Sequence, residues 1–176
     1  MYRIIFLSIF LLIFTGLPVY QVLSGSDNEH AANLWDMMQK DDYRDTWKHY
    51  PGKGVLYKGA HPHGAFLTTY VNGPALKGLN AHDKELPYGS ILIKENYKPD
   101  KTLAAITVME RVKGYNPDAG DWYWVKFSPK GDVMTKDVEM NGKKKTVTLA
   151  GKPKGCIGCH TASVAGIKYI MTPYPK

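Results

Sequence analysis

The sequence predicts a mainly β protein, organised as one antiparallel β-sheet domain with a short N-terminal helix and a C-terminal segment that contains both cysteines. Apolar residues follow helical spacing in one main stretch near the N-terminus. Most of the remaining chain contains separate runs of β-branched and aromatic residues, bounded by Gly, Pro and Asn, as in a set of short strands. The 176-residue chain has no repeats, and the part after its apolar N-terminus has about the length of one domain.

The N-terminal segment, residues 1–26, has the layout of a signal sequence. An almost uninterrupted apolar run covers Ile4–Leu17, and two small residues, Ser24 and Ser26, offer a cleavage site without an Ala-x-Ala pattern. Alternatively, the 20 residues of Ile4–Leu23 are just long enough to span a bilayer as a retained anchor. The sequence therefore predicts an exported, periplasmic protein, soluble or anchored, whose functional domain is 27–176.

A helix is predicted at Glu29–Lys40, with either Asp27 or Asn28 as its N-cap. Its apolar side chains recur at roughly helical spacing and are Leu34, Trp35, Met37 and Met38. This apolar stripe is expected to pack against the domain.

Strands are predicted where β-branched and aromatic residues cluster between turn residues, which gives four or five antiparallel strands. The predicted strands are Ala65–Val71, Ser90–Tyr97, Leu103–Val112, Trp122–Phe127 and Thr146–Leu149. A short helix fits Pro74–Leu79, and a last apolar segment covers Ile167–Met171.

The motif Cys156-Ile157-Gly158-Cys159-His160 is the attachment pattern of a c-type haem, and its two cysteines are the only two in the chain. Each thiolate can form a thioether to the haem, and His160 can then bind the iron as the proximal ligand. A zinc half-site would need two more ligands, and no Cys or His follows His160. A thioredoxin-like pair would need a βαβ unit, which the pattern does not indicate. One covalent haem c is therefore predicted, with the motif on a turn and short helix between Gly155 and Ser163.

The formal net charge is +7, and the C-terminal part of the chain is the most basic. Residues 140–176 contain seven lysines and no carboxylate. This segment is either a solvated loop face or a positive rim near the haem that attracts an acidic redox partner or balances the propionates. Export argues against nucleic acid as the partner.

Several short blocks precede the haem motif in order, and the pattern that they form with it covers about residues 44–174. They are Tyr50-Pro51-Gly52, His61-Pro62-His63-Gly64, Tyr70-Val71-Asn72, Leu86 to Glu95, Ile106-Thr107-Val108-Met109 and Gly120-Asp121-Trp122. In the order and spacing of these blocks the chain resembles the cytochrome P-460 family, mono-haem c-type proteins that include the β-sheet type of cytochrome c-prime. The resemblance implies an antiparallel β fold, commonly dimeric, and a five-coordinate haem whose open face binds small nitrogen species.

Lys94 is the residue on which the resemblance is most informative. In the similar enzymes, a lysine in the matching strand segment is bonded through its amine to the edge of the haem ring. Such a bond needs a deprotonated amine, and burial lowers the pKa of a lysine in that sense. The alternative is an ordinary strand lysine on a solvated face, and the alternation of Ile91 and Ile93 with Leu92 and Lys94 leaves both faces open.

The histidines other than His160 divide into two groups. His61 and His63 flank Pro62, so only one of them is expected to point toward the haem. It is either a sixth iron ligand, or a residue that hydrogen-bonds a propionate or has a structural role. The resemblance favours the last two roles, which leave the iron open. Met109 is expected in the core, and the remaining histidines, His30, His49 and His82, are expected at the surface.

Oxidation of hydroxylamine releases protons, so an active site of that kind needs a base, which the sequence does not assign. The candidates are the carboxylates Glu95, Glu110, Asp121, Asp137 and Glu139. An apolar distal face would instead favour a neutral diatomic ligand, and its candidate lining residues are Phe66, Tyr123, Trp124 and Phe127.

Two functions follow. One is an oxidoreductase that converts hydroxylamine to nitrogen oxides and passes electrons to an acceptor. The other is a cytochrome that binds nitric oxide or transfers electrons without hydroxylamine turnover.

Overall fold

The computed structural model describes residues 26–163 and 166–173. The predicted signal or anchor segment lies outside the described residues, apart from Ser26. Among the described residues, no helix has the length and apolar character needed to cross a membrane.

One antiparallel sheet organises the described chain, as the sequence predicts, but it has seven strands instead of the four or five predicted. The strands of the described chain are β1 Lys48–His49, β2 Tyr57–Lys58, β3 Phe66–Val71, β4 Ile91–Tyr97, β5 Leu103–Arg111, β6 Trp122–Phe127, β7 Thr135–Met140, β8 Lys143–Thr148 and β9 Ala150–Gly151. The spatial order in the large sheet is β1-β3-β4-β5-β6-β9, and β2 pairs with the same strand, β3, as β1 does. Strands β7 and β8 form a separate two-stranded hairpin.

Four α-helices and one 3-10 turn complete the described elements. They are α1 Asp27–Lys40, α2 Tyr43–Thr46, α3 Gly73–Asn80, α4 Lys154–Thr161 and the 3-10 turn Pro117–Ala119. The N-cap of α1 is Ser26, whose hydroxyl accepts a hydrogen bond from the Glu29 N–H at 3.2 Å. The predicted caps were wrong because Ser26 and Glu29 have the spacing of a capping box, which starts the helix at Asp27.

The β7–β8 hairpin differs most from the predicted strands. Only Thr146–Leu149 was predicted there, whereas the structure pairs Thr135–Met140 with Lys143–Thr148 through a turn at Asn141 and Gly142. Both turn residues have positive φ, 53° and 71°, as a type I′ turn requires. Most side chains of both strands are exposed, so the apolar alternation that reveals a half-buried strand is missing.

The large sheet has an apolar cluster on each face. We call the side covered by α1 the α1 face; its cluster includes Leu34, Met38, Ile93 and Tyr123. We call the other side the α4 face; its cluster packs against α3, α4 and the segment after α4. The α4-face cluster consists of Tyr50, Val71, Ala75, Leu79, Leu86, Leu92, Met109, Ala119, Trp122, Trp124, Ile167 and Ile170, and it packs against Cys156 and Ile157. Because strand side chains alternate, neighbouring residues of one strand contribute to different clusters.

Glu95 is buried on the α1 face, with only 1% of its surface exposed. Its carboxylate accepts hydrogen bonds from the Tyr43 hydroxyl at 2.8 Å, the Arg44 Nε at 2.7 Å and the Tyr97 hydroxyl at 2.5 Å. A buried carboxylate is tolerated only when it is paired and hydrogen-bonded in this way. The contact joins β4 to α2, which holds the N-terminal helices against the sheet.

Replacing Glu95 with Gln should therefore destabilise the protein. The substitution removes the charge and gives Tyr43 or Tyr97 an amide N–H where it had an acceptor, so we expect a loss of about 1–3 kcal/mol in the free energy of unfolding. Urea denaturation of the two proteins measures this. Glu139→Gln, on the exposed hairpin, is the control and should change the free energy by less than about 0.5 kcal/mol. Equal effects of the two substitutions would contradict the proposed importance of the buried contact.

Candidate haem site

Helix α4 contains the complete Cys-x-x-Cys-His motif, in agreement with the predicted turn and short helix. Cys156 is half-buried against the α4-face cluster, Cys159 is exposed, and both thiols are free. Burial raises the pKa of the Cys156 thiol. A spacing of three residues puts the two sulfur atoms on one side of the helix, and His160 follows at its end.

The His160 ring is buried and has one defined hydrogen bond. Its Nδ1 lies 2.6 Å from the Tyr169 carbonyl oxygen, in the segment that follows α4. A carbonyl only accepts hydrogen bonds, so Nδ1 donates the proton and Nε2 keeps its lone pair. Burial lowers the pKa of His160 and favours the neutral ring. This is the tautomer and orientation of a metal-binding imidazole.

Lys94 lies on the α4 face of the sheet. The alternation of side chains in the sequence had not indicated which face it occupies. It stands in register with Thr69 on β3, Thr107 on β5 and, beyond Thr107, Lys126 on β6. Burial lowers the pKa of the Lys94 amine to about 8. Among the described residues, no hydrogen bond or ion pair to this amine is present. Its charge also acts on this face, because it lowers the pKa of both His63 and His160 after the larger effect of their burial.

His63 is the member of the His61 and His63 pair that faces the site, whereas His61 is exposed. The His63 ring centroid is 6.5 Å from that of His160, and the two ring planes are perpendicular. Its Nδ1 is 3.0 Å from the Asn96 side-chain oxygen on β4. Burial, and then the nearby Lys94 charge, lower the pKa of His63 to about 3, so the ring is neutral.

The other histidines and Met109 lie away from these contacts. Met109 is buried in the α4-face cluster, as expected, and His49 and His82 are exposed. His30 is not simply a surface residue, because its Nε2 pairs with the Glu110 carboxylate at 2.7 Å and its ring packs edge-on against Tyr123.

The five carboxylates considered as bases are placed elsewhere. Glu95 and Glu110 lie on the α1 face, opposite Lys94. Asp121 accepts hydrogen bonds from the Tyr88 hydroxyl at 2.9 Å and the Asn116 N–H at 3.1 Å. The last two, Asp137 and Glu139, are exposed on the β7–β8 hairpin. Sequence reasoning missed His63 as the neutral nitrogen base that does face the site.

Of the four aromatic residues predicted as a possible lining, only Trp124 lies on the α4 face. Tyr123 and Phe127 pack in the α1-face cluster, and Phe66 lies opposite Tyr97, whose hydroxyl reaches Glu95 on that same face. The error has a physical reason: β6 alternates, so Trp124 and its neighbour Tyr123 point in opposite directions. The Trp124 ring is 6.3 Å from the His160 ring.

The residues on this face fit a haem. Trp124 Nε1 is buried and has no hydrogen-bond partner among the described residues. An unmet buried donor costs about 1–3 kcal/mol, and a bound group with acceptor oxygens, such as haem propionates, can satisfy it. Two thiols on one side of α4 and a neutral His160 with a free Nε2 lie on the same face of the sheet as this donor.

Comparison with known proteins identifies the family of the chain. The family model described as cytochrome P460 matches residues 40–172, which include β1 to β9, Lys94 and the whole of α4. No curated protein matches the chain with significant similarity. The family match implies a haem cofactor. The chain therefore belongs to the cytochrome P460 family.

Proposed function

We propose that this protein is an exported, periplasmic mono-haem cytochrome that oxidises hydroxylamine to nitrogen oxides and delivers the electrons to an acceptor. The observation that supports it most is Lys94, a buried amine without a described hydrogen-bond partner on the same face as His160. Export is supported by the apolar N-terminal segment at residues 1–26.

The haem is proposed to be covalently attached through Cys156 and Cys159, with His160 Nε2 as the proximal iron ligand. When bound, it supplies an iron that binds a nitrogen ligand and takes up electrons one at a time. The Tyr169 carbonyl keeps the proton on His160 Nδ1, so that Nε2 is free for the metal at neutral pH.

Lys94 is proposed to be bonded through its amine to the edge of the haem ring, as in the enzymes that the sequence resembles. An amine with a pKa of about 8 is neutral in about a tenth of the molecules at pH 7, compared with fewer than about one in a thousand for an ordinary lysine. The new bond replaces one N–H and one ring C–H hydrogen. Two protons and two electrons must leave, and an oxidant of the peroxide class can accept them.

His63 is the proposed proton acceptor for hydroxylamine oxidation, which releases protons and electrons in equal number. Its ring is neutral and faces the site, whereas the five predicted carboxylates do not. Its Nδ1 is held by Asn96, which leaves Nε2 to receive a proton.

The second candidate is a cytochrome that binds nitric oxide or transfers electrons without hydroxylamine turnover. The placement of the five candidate carboxylates away from Lys94 favours it, because none of the predicted bases is then available and proton-coupled oxidation depends on His63. Turnover of hydroxylamine with an artificial electron acceptor separates the two functions.

An acidic redox protein is the proposed electron acceptor. The strand β8 presents three exposed lysines, Lys143, Lys144 and Lys145, whose positive charge supports the proposal of an acidic partner. A homodimer, which the resemblance also implies, stays a prediction.

Covalent attachment predicts that the denatured protein keeps the mass of one haem on the polypeptide. Cys156→Ala combined with Cys159→Ala should lose it, since both thioethers are then absent. His160→Ala should keep a covalent haem with altered axial ligation. Mass spectrometry and the optical spectrum of protein from cells competent in c-type maturation measure these outcomes. A colourless wild-type protein would contradict the proposal.

The Lys94 bond predicts a ferrous Soret band that is strongly red-shifted from that of an ordinary c-type haem, because the bond breaks the symmetry of the conjugated ring. Lys94→Arg should restore the ordinary spectrum, keep the thioethers and lower hydroxylamine turnover at least about tenfold. The matched control is Lys126→Arg, in the same row on β6, which should keep the red shift.

Peptide mapping provides an independent check of the same bond. Trypsin cannot cleave after a modified Lys94, so its peptide should travel with the haem peptide that contains Cys156 and Cys159. An ordinary wild-type spectrum together with a free peptide ending at Lys94 would favour the second candidate function.

A further inference from the structure

The loop between β2 and β3 brings His63 close to the expected proximal ligand, although the two residues are 97 positions apart in the sequence. The ring centroids of His63 and His160 are 6.5 Å apart and the planes are perpendicular. Neither Nε2 atom has a hydrogen-bond partner among the described residues.

The tautomer of His63 follows from the contacts of Asn96. The Asn96 side-chain NH₂ donates to the Lys94 carbonyl at 2.9 Å, to the Ala105 carbonyl at 3.2 Å and to the Thr107 hydroxyl at 3.2 Å. With the amide so oriented, its oxygen accepts from His63 Nδ1. His63 therefore has its lone pair on Nε2, as His160 does.

The ring separation distinguishes between two roles for His63. Two imidazoles that bind one metal at about 2 Å each place their ring centroids about 6–6.5 Å apart. A histidine that only hydrogen-bonds a molecule on the metal must stand about 2–3 Å farther away, by the length of the extra hydrogen bond. The observed 6.5 Å fits direct coordination.

Close backbone packing holds the loop in this position. A Cβ on Gly64 would lie 2.4 Å from the Tyr97 backbone nitrogen and oxygen, and a Cβ on Gly59 would lie 2.0 Å from the Gly64 carbonyl oxygen. These glycines let the loop pack directly on the end of β4. His63 is thereby fixed by the loop backbone and by Asn96 together.

We propose that His63 Nε2 is the second axial ligand of the haem iron in the resting protein, on the side opposite His160, and that a small nitrogen ligand enters by displacing it. The inference rests on the proposed haem attachment and deepens the proposed function. It replaces the open iron implied by the resemblance with an iron closed by a displaceable internal ligand. Once displaced, the His63 imidazole has its Nε2 free to accept a proton from the entering molecule.

The test is spectroscopy of the full-length haem-loaded protein, with optical and electron paramagnetic resonance spectra of the ferric state. The wild type should be six-coordinate and low-spin, with the strongly anisotropic signal that near-perpendicular imidazole planes produce. His63→Ala should be high-spin, should bind carbon monoxide in the ferrous state at least about tenfold faster, and should return to low-spin when free imidazole is added. The control is His61→Ala, whose exposed ring should leave the low-spin spectrum unchanged.

A high-spin wild-type spectrum with haem attached would overturn the His63 assignment and leave the haem proposal standing. A low-spin wild type that shows no hydroxylamine turnover, with or without His63, would support the ligand assignment and contradict the hydroxylamine function. If His63→Ala does not fold, the wild-type resonance signal still decides between one and two imidazole ligands. A wild type without haem would contradict both proposals.

Discussion

The buried carboxylate of Glu95 is the constraint on which the site depends. Glu95 and its neighbour Lys94 point to opposite faces of β4, because strand side chains alternate. A shift of one residue in the register of β4 would move the lysine toward Arg44 and place the carboxylate on the α4 face without its three donors. Both changes are electrostatically unfavourable, because the lysine would face another cation and the buried carboxylate would lose its partners. The contacts that satisfy Glu95 therefore also fix Lys94 in the site.

The site combines parts of the chain that are distant in sequence. The loop before β3 supplies His63, β4 supplies Lys94 and Asn96, α4 supplies His160, and the segment after α4 supplies the Tyr169 carbonyl. In both histidines the Nδ1 atom is engaged by an acceptor of the protein, so the two Nε2 atoms are the ones left for chemistry. The surrounding hydrogen bonds thus determine which nitrogen of each ring is reactive.

Local patterns were sufficient to predict the central strands and the haem motif. Strands β3 to β6 contain apolar and β-branched runs, and their bounds agree with the structure within a residue or two. The face of Lys94 could not be predicted, because β4 is largely buried on both faces and each face combines apolar and polar residues, so neither is marked as the solvent side. The base candidates failed for a related reason: Glu95 and Glu110 satisfy buried or half-buried partners on the α1 face, and no local signal distinguishes such a carboxylate from a catalytic one.

The two apolar clusters are formed by different parts of the chain. The α1-face cluster uses residues from Ala31 to Ala150 and needs nothing from α4. The α4-face cluster includes Ile167 and Ile170 and packs against Cys156. In the proposed export the chain would emerge from its N-terminus, so the α1 face would have all of its apolar partners before α4 is translocated. A haem attached as proposed would then bond to a late segment and close the α4-face cluster onto a sheet that is already formed.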